Sequence, residues 1–258
     1  MNGTEDTSGT PLAGCAALVT GASSGIGAAT ARGLARLGAA VALVARRAER
    51  LEELAAGIRG QGGSCLTLTA DLGDPRQGQR AVEEAAARFG RLDILVNSAG
   101  YSVSGPVEEA DPEDWRRMLD LNVAAVLHLS RAALPHLLRA AADGGRRVAD
   151  LVNISSVAGR VARRDNAVYS ATKHAVGAFS EALRQEVTGR GVRVALVEPG
   201  LTSTEMTAGQ TGVAVAHGMP PESWLRAEDI ARAVVFTVTQ PAHAAVNEIT
   251  VRPTAQER

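Results

Sequence analysis

The sequence predicts a single α/β domain: a doubly wound parallel sheet of about seven strands with helices on both faces. Three observations predict it. Short apolar runs alternate with stretches of helical periodicity along the chain. A glycine-rich segment joins the first apolar run to the first helix, and no linker, composition shift or internal repeat interrupts the 258 residues. Strands that are apolar throughout, rather than apolar at every second position, belong to sheets covered on both faces.

Residues 1–12 are rich in Gly, Thr, Ser, Asp and Pro and read as a disordered tail, with the folded domain over 13–258. The first strand is placed at Cys15–Thr20, followed by the turn Gly21–Gly27 and a helix Ala28–Leu37 that stops at Gly38. A second strand (Ala40–Ala45), a charged helix (Arg47 to Arg59) and a third strand (Cys65–Ala70) come next. Asp74–Phe89 is helical with Pro75 in its first turn, and Leu92–Asn97 is the fourth strand. Pro112 opens a long helix that passes through Asn122 to about Ala141, with Pro135 bending it or splitting it in two. The fifth strand, a helix, and the sixth strand are assigned to Val148–Ser155, Asn166–Thr188 and Val192–Glu198. Residues 201–226 form a long irregular segment, read as a substrate-binding lid. Ala227–Thr239 is the last helix and Ala245–Val251 the last strand.

Composition narrows the function. With 27 basic and 28 acidic residues the net charge is −1, which gives no footprint for nucleic acid or an anionic membrane. Charge-free apolar stretches fall short of the roughly 20 residues that cross a bilayer, and the start lacks a basic signal region. Cys15 and Cys65 cannot build a disulfide framework or a zinc site. His128, His136, His174, His217 and His243 show no ligand spacing, so no metal is expected. A cytoplasmic protein in a reducing compartment is the expectation.

Two segments carry chemistry. In Thr20–Gly27, glycines at 21, 25 and 27 follow a strand and open a helix, the context in which a backbone turn and a helix N-terminus cradle a pyrophosphate. The second strand ends in Arg46 and Arg47 with no acid ready for a ribose 2′-hydroxyl, which favours NADP over NAD because guanidinium groups suit a 2′-phosphate. The other segment is marked by a composition anomaly: 26 of the basic residues are arginine and one is lysine, Lys173, four residues after one of only two tyrosines, Tyr169. Residues four apart share a helix face. A phenol has a pKa of about 10, and a neighbouring ammonium favours its phenolate. A compact ammonium that can exchange a proton fits this task better than a guanidinium. Ser156, at the carboxyl edge of the sheet, can hold a substrate oxygen, with Ser155 as its competitor.

Asn97-Ser-Ala-Gly100, Asn153-Ile-Ser-Ser156, Tyr169-Ser-Ala-Thr-Lys173 and Pro199-Gly200, with Thr20–Gly27, Asp71 and Asn122 in the same order, resemble the short-chain dehydrogenase/reductase family over about residues 13–252. Ser98 departs from the family's usual asparagine and Thr202 from its valine or isoleucine. The resemblance implies a Rossmann domain that transfers hydride between a nicotinamide cofactor and a carbonyl or alcohol. It implies Asn122, Ser156, Tyr169 and Lys173 as the catalytic set, with Asn122 holding a helix kink and a proton-relaying water, and selects Ser156 over Ser155. Cofactor contacts are carried over to Gly21, Ser23, Ser24, Gly25, Ile26, Gly27, Arg46, Arg47, Asp71, Leu72, Asn97, Ala99 and Gly100, and to Tyr169, Lys173, Pro199, Gly200, Thr202 and Thr204. The helices at 111–141 and 166–188 resemble those through which the family forms tetramers, so a homotetramer or a dimer is expected.

The segment 159–194 and the ending 247–254 are similar to the clavulanic acid dehydrogenase type, which reduces an aldehyde with NADPH, and to NADP-linked hydroxy-acid dehydrogenases. The expectation is an NADPH-dependent reductase of an aldehyde or ketone in bacterial secondary metabolism. An NADP-dependent dehydrogenase of an alcohol or hydroxy acid is the alternative. A cofactor-binding sensor without chemistry would have no need of Ser156, Tyr169 and Lys173 together. Arg160, Arg163 or Arg164 could grip a substrate carboxylate, or simply belong to a solvated loop.

Overall fold

The computed structural model of the protein describes residues 10–208 and 219–256. Six strands of the main sheet lie where the alternation puts them: β1 (Ala16–Thr20), β2 (Ala40–Ala45), β3 (Cys65–Thr69), β4 (Ile94–Asn97), β5 (Ala149–Ile154) and β6 (Val192–Pro199). Thr202–Ser203 (β7) and Leu225–Arg226 (β8) pair with each other inside the expected lid, and Glu248–Val251 (β9) closes the chain's strands. The main sheet has the order β3-β2-β1-β4-β5-β6-β9, and every pairing is parallel. The order reverses between β1 and β4, so a crevice opens beyond their carboxyl ends.

The helices are α1 (Gly25–Arg36), α2 (Ala48–Gly60), α3 (Pro75–Phe89), α4 (Pro112–Leu119), α5 (Ala125–Asp143), α6 (Ala167–Val187), α7 (Glu205–Ala208) and α8 (Ala227–Val238). Strand pleating divides the core into two layers. Ala17, Val19, Val41 and Leu43 pack with Leu34 of α1, Leu51 of α2 and Val234 of α8. Their sequence neighbours Leu18, Ala42 and Val44 pack on the opposite face with Val82 of α3, Leu129 of α5 and Leu183 of α6. This is why the strands read as unbroken apolar runs.

The structure refines two expectations. The tail lies outside the described residues as far as residue 9, but its end is ordered: Leu12 is fully buried and donates its N–H to the Leu37 carbonyl at 2.9 Å. Pro135 does not split the long helix, because α5 is continuous from Ala125 to Asp143. Pro135 and Arg131, whose carbonyl loses its donor, are both exposed, so water can take that bond. The irregularity falls earlier, in a π-helical turn at Asp120–Ala124 that carries Asn122 inward. The helical run Pro112–Asp143 is also long and apolar enough to cross a bilayer by length and composition. In the fold its apolar face, including Val126, Leu129, Ala133 and Leu137, is buried within the domain.

At the amino edge, opposite the crevice, the carboxylate of Asp150 receives Arg193 Nε at 2.7 Å, Arg193 Nη2 at 3.0 Å and Arg146 Nη2 at 2.9 Å. Arg193 Nη1 also donates to the carbonyls of Gln240, Pro241 and Ala244 at 3.0, 3.2 and 2.8 Å. The cluster therefore ties β5 and β6 to the turn after α8. Removing one partner of a buried ion pair strands the other charges at a cost of about 3–5 kcal/mol. Asp150→Ala is expected to lower stability by about that amount in urea denaturation, and a loss within error of zero would show that the cluster is dispensable.

Candidate active site

A groove of about 1400 Å³ runs along the carboxyl ends of β1, β4, β5 and β6. At one end lies the glycine turn. Gly21 has φ +66°, and a Cβ on it would sit 2.9 Å from Ala99 Cα and the Ser98 carbonyl. A side chain on Gly27 would run into the Gly21 carbonyl. The turn therefore presses against the loop after β4 with bare backbone. Thr20 Oγ1 fixes that loop by accepting from the N–H groups of Ser98 and Ala99 at 2.9 and 3.1 Å. Ser24 is the N-cap of α1 but makes no capping bond, so the first-turn N–H groups remain available to an anion. The bare turn and the uncapped helix end fit a pyrophosphate.

Arg47 folds over this turn. Its Nη2 donates to Ser24 Oγ at 2.8 Å and Ser23 Oγ at 3.0 Å, and its Nη1 pairs with Glu205 at 2.7 Å. Arg46 is exposed along the same part of the groove. Asp71 and Leu72 also line it, and the Asp71 carboxylate accepts the Gly73 N–H at 3.0 Å. Gly25, Ile26, Ala99, Gly100, Pro199, Gly200, Thr202 and Thr204 line it as well, with Thr204 packed over Gly25.

The other end holds the reactive groups. Tyr169 and Lys173 lie in the first turns of α6, which packs on β6 and reaches the end of β5. Lys173 Nζ donates to the Ile154 carbonyl at 3.0 Å and stands 5.6 Å from the Tyr169 ring centroid. The Ser156 hydroxyl accepts the Ala158 N–H at 3.1 Å and donates to the Pro199 carbonyl at 3.4 Å, and it lines the groove together with Tyr169. Ser155 also borders the groove, but its hydroxyl donates to the Lys173 carbonyl at 3.3 Å and ties the end of β5 to α6. Burial holds Tyr169 above the usual phenol range, with the Ser156 hydroxyl pulling the other way. Burial also brings Lys173 down to about 8. In the protein alone burial is the larger influence on the phenol, and it acts against the phenolate.

Two expected site residues do not reach the groove. Asn97 is buried below it, its amide donating to Asn153 Oδ1 at 2.8 Å and Ser130 Oγ at 3.3 Å, because as the last strand residue it faces the helices and not the crevice. Asn122 spends both amide hydrogens on the Tyr101 carbonyl at 2.8 Å and Thr172 Oγ1 at 3.2 Å, and accepts the Tyr101 N–H at 2.8 Å. It is a positioning residue that joins the loop after β4 to α6. Of the three candidate arginines, Arg160 pairs with buried Glu198 at 2.6 Å and with Glu248, away from the groove. Arg163 and Arg164 do line the groove, and the Arg164 side chain is 94% exposed. His174 binds the Ser170 carbonyl at 2.8 Å and lies outside the groove. The second tyrosine, Tyr101, lines it, but its hydroxyl donates to Asp114 at 2.7 Å, which raises its pKa.

Sequence reasoning missed Glu205 as a partner of Arg47, 158 positions away. It also missed Gln256, whose Oε1 accepts the Leu201 N–H at 3.0 Å and fills the space beside Gly200. Neither has a local pattern that could have announced it.

Known proteins are similar to this chain in sequence and fold. The short chain dehydrogenase family model matches residues 15–212. An uncharacterized oxidoreductase of Staphylococcus epidermidis is 37% identical over 237 residues, 92% of this chain and 96% of that one. A short chain dehydrogenase from Burkholderia cenocepacia, solved in complex with NADP, superposes with TM-score 0.84 at 34% identity over 95% of this chain and 99% of that one. A 3-ketoacyl-(acyl-carrier-protein) reductase from Brucella melitensis, complexed with NADH, superposes with TM-score 0.82 at 29% identity over 93% and 97%.

The depressed Lys173 pKa has a sign. Between about 8 and the unfolded value of 10.5 the unfolded chain binds the extra proton, so this residue's contribution to stability rises with pH. The charged form's penalty, roughly 3 kcal/mol, is full below pH 8 and gone above about 10.5. The stability of Lys173→Met relative to the native chain should therefore be greatest near pH 7 and shrink as pH rises through that window. Parallel urea curves at all pH values would contradict the burial argument.

Proposed function

The chain belongs to the short chain dehydrogenase family, and from that premise we propose that this oxidoreductase uses NADPH to reduce an aldehyde or ketone, reversibly, to the alcohol. The observation that carries the reading is the meeting of Ser156, Tyr169 and Lys173 in the same groove as the glycine turn and Arg47. The fold alone does not choose the cofactor, since the Brucella reductase holds NADH and the Burkholderia dehydrogenase NADP. The residues do: Arg46 and Arg47, with Ser23 and Ser24, would hold a 2′-phosphate. The turn Gly21–Gly27 and the start of α1 would hold the pyrophosphate. Asp71 and Leu72 would flank the adenine, and Pro199, Gly200 and Thr202 the nicotinamide end. The bound cofactor supplies the hydride.

The chain supplies the proton and the alignment. The Ser156 hydroxyl orients the substrate oxygen without changing charge. Tyr169, kept protonated by burial, gives its proton to that oxygen as negative charge develops there. Lys173 faces the ring and stabilises the phenolate left behind, and its pKa near 8 allows it to pass a proton on. Oxidation of the alcohol runs the same proton the other way.

A second reading, an NADP-dependent dehydrogenase of a hydroxy acid, is favoured by Arg163 and Arg164 in the groove wall, where a carboxylate would find a counter-charge. A place in bacterial secondary metabolism is supported by the likeness of residues 159–194 to the clavulanic acid dehydrogenase type and by the arginine-rich composition. Free Cys15 and Cys65 suit the cytoplasm. Exposed Leu119 and Leu127 on the α4–α5 face, and Phe236 on α8, support a homotetramer or dimer.

NADPH absorbance over a panel of aldehydes, ketones and keto acids, repeated with NADH, tests the reading. Turnover faster with NADPH is expected. Tyr169→Phe should lower kcat about 100-fold or more while NADPH still binds. Full activity in that variant would remove the proton donor proposed here.

A further inference from the structure

The contact between Arg47 and Glu205 is unusual for a site proposed to take a phosphate. Arg47 is laid on the glycine turn by Ser23 and Ser24, and the donor left over, Nη1, is taken by a carboxylate of the chain at 2.7 Å. Glu205 opens α7, directly after Thr204, which packs on Gly25. The Arg47 bond holds its carboxylate below the usual carboxylate range, so it is an anion at neutral pH. An acid has thus been brought, from 158 positions along the chain, to the arginine at the start of α2. Arg47 and Glu205 remain 45% and 53% exposed, so the pair is solvated and weak enough to be exchanged for another anion.

We infer that Glu205 is a specificity-determining residue for the cofactor, occupying on Arg47 the position of a 2′-phosphate and opposing its entry. This inference rests on the cofactor reading above. A dianionic 2′-phosphate must take Arg47 Nη1 from Glu205 and tolerate the displaced carboxylate nearby. A ribose with a free 2′-hydroxyl meets neither obstacle, and its hydroxyl can donate to the carboxylate. Glu205 therefore lowers the preference for NADP(H) that Arg46 and Arg47 create, and keeps the tightest-binding form of the cofactor exchangeable.

The test is equilibrium binding, independent of turnover. NADPH, NADH, adenosine 2′,5′-bisphosphate and 5′-AMP are titrated by fluorescence or calorimetry against the native chain, Glu205→Gln, Arg47→Ala and the double variant. Glu205→Gln should bind NADPH and adenosine 2′,5′-bisphosphate about three- to fivefold more tightly, with NADH and 5′-AMP unchanged or weaker. In the Arg47→Ala background most of that gain should vanish, because the competition is for Arg47. Weaker NADPH binding by Glu205→Gln would mean that the acid preorganises Arg47, and equal tightening of NADPH and NADH would mean a general charge effect; either overturns the inference. A native chain that binds NADPH no better than NADH overturns the cofactor reading first, and the inference with it.

Discussion

The close seating of α6 against the end of β5 is the constraint on which the site depends. Lys173 donates from its side chain to the Ile154 carbonyl, and Ser155 donates back to the Lys173 backbone carbonyl. These two bonds run in opposite directions between the same strand end and the same helix turn. They fix the height of Tyr169 above the groove and leave Ser156, the next residue, facing it. A helix displaced by one turn, 5.4 Å, would part all three groups. The lysine is thus structural and chemical at once, which explains why an otherwise arginine-only chain retains it: a planar guanidinium could not present one compact donor to that carbonyl.

The electrostatics of the groove follow from the same burial. Desolvation favours the neutral form of every group it encloses, so it raises the phenol and lowers the amine. In the protein alone the pair is therefore set for proton donation, with Tyr169 protonated and Lys173 within reach of neutral pH. Positive charge that enters with an oxidised cofactor shifts the balance toward phenolate, the form that accepts a proton from an alcohol.

A layer of buried amides supports the reactive layer. Asn97, Asn153 and Ser180 form a chain across β4, β5 and α6, with Asn97 also reaching Ser130 of α5. Asn122, turned inward by the π-helical segment, clasps the Tyr101 backbone from both sides and reaches Thr172 beside Lys173. Buried polar groups of this kind are costly unless satisfied; the amide hydrogens here are paired, while Asn97 Oδ1 has no partner among the described residues. Their contribution to the chemistry is position, delivered through the loop after β4 and through α6.

Much of this was legible in the chain itself. Apolar runs fix the strands because a parallel sheet buries both faces. The glycines of Thr20–Gly27, and a lone lysine four residues after a tyrosine, are local patterns with local causes. Asn97 was misread because a motif names residues without saying which way the last strand position faces. The choice between bending and splitting at Pro135 was not legible, because it depends on whether the orphaned carbonyl meets water. The partners of Arg160, the meeting of Arg47 with Glu205, and the packing of Gln256 against Gly200 join residues 38, 158 and 56 positions apart. Charge and hydrogen-bond pairing at such separations leave no periodicity in a sequence. They are decided only when crossovers bring distant segments to one edge of the sheet, and there burial sets which proton moves.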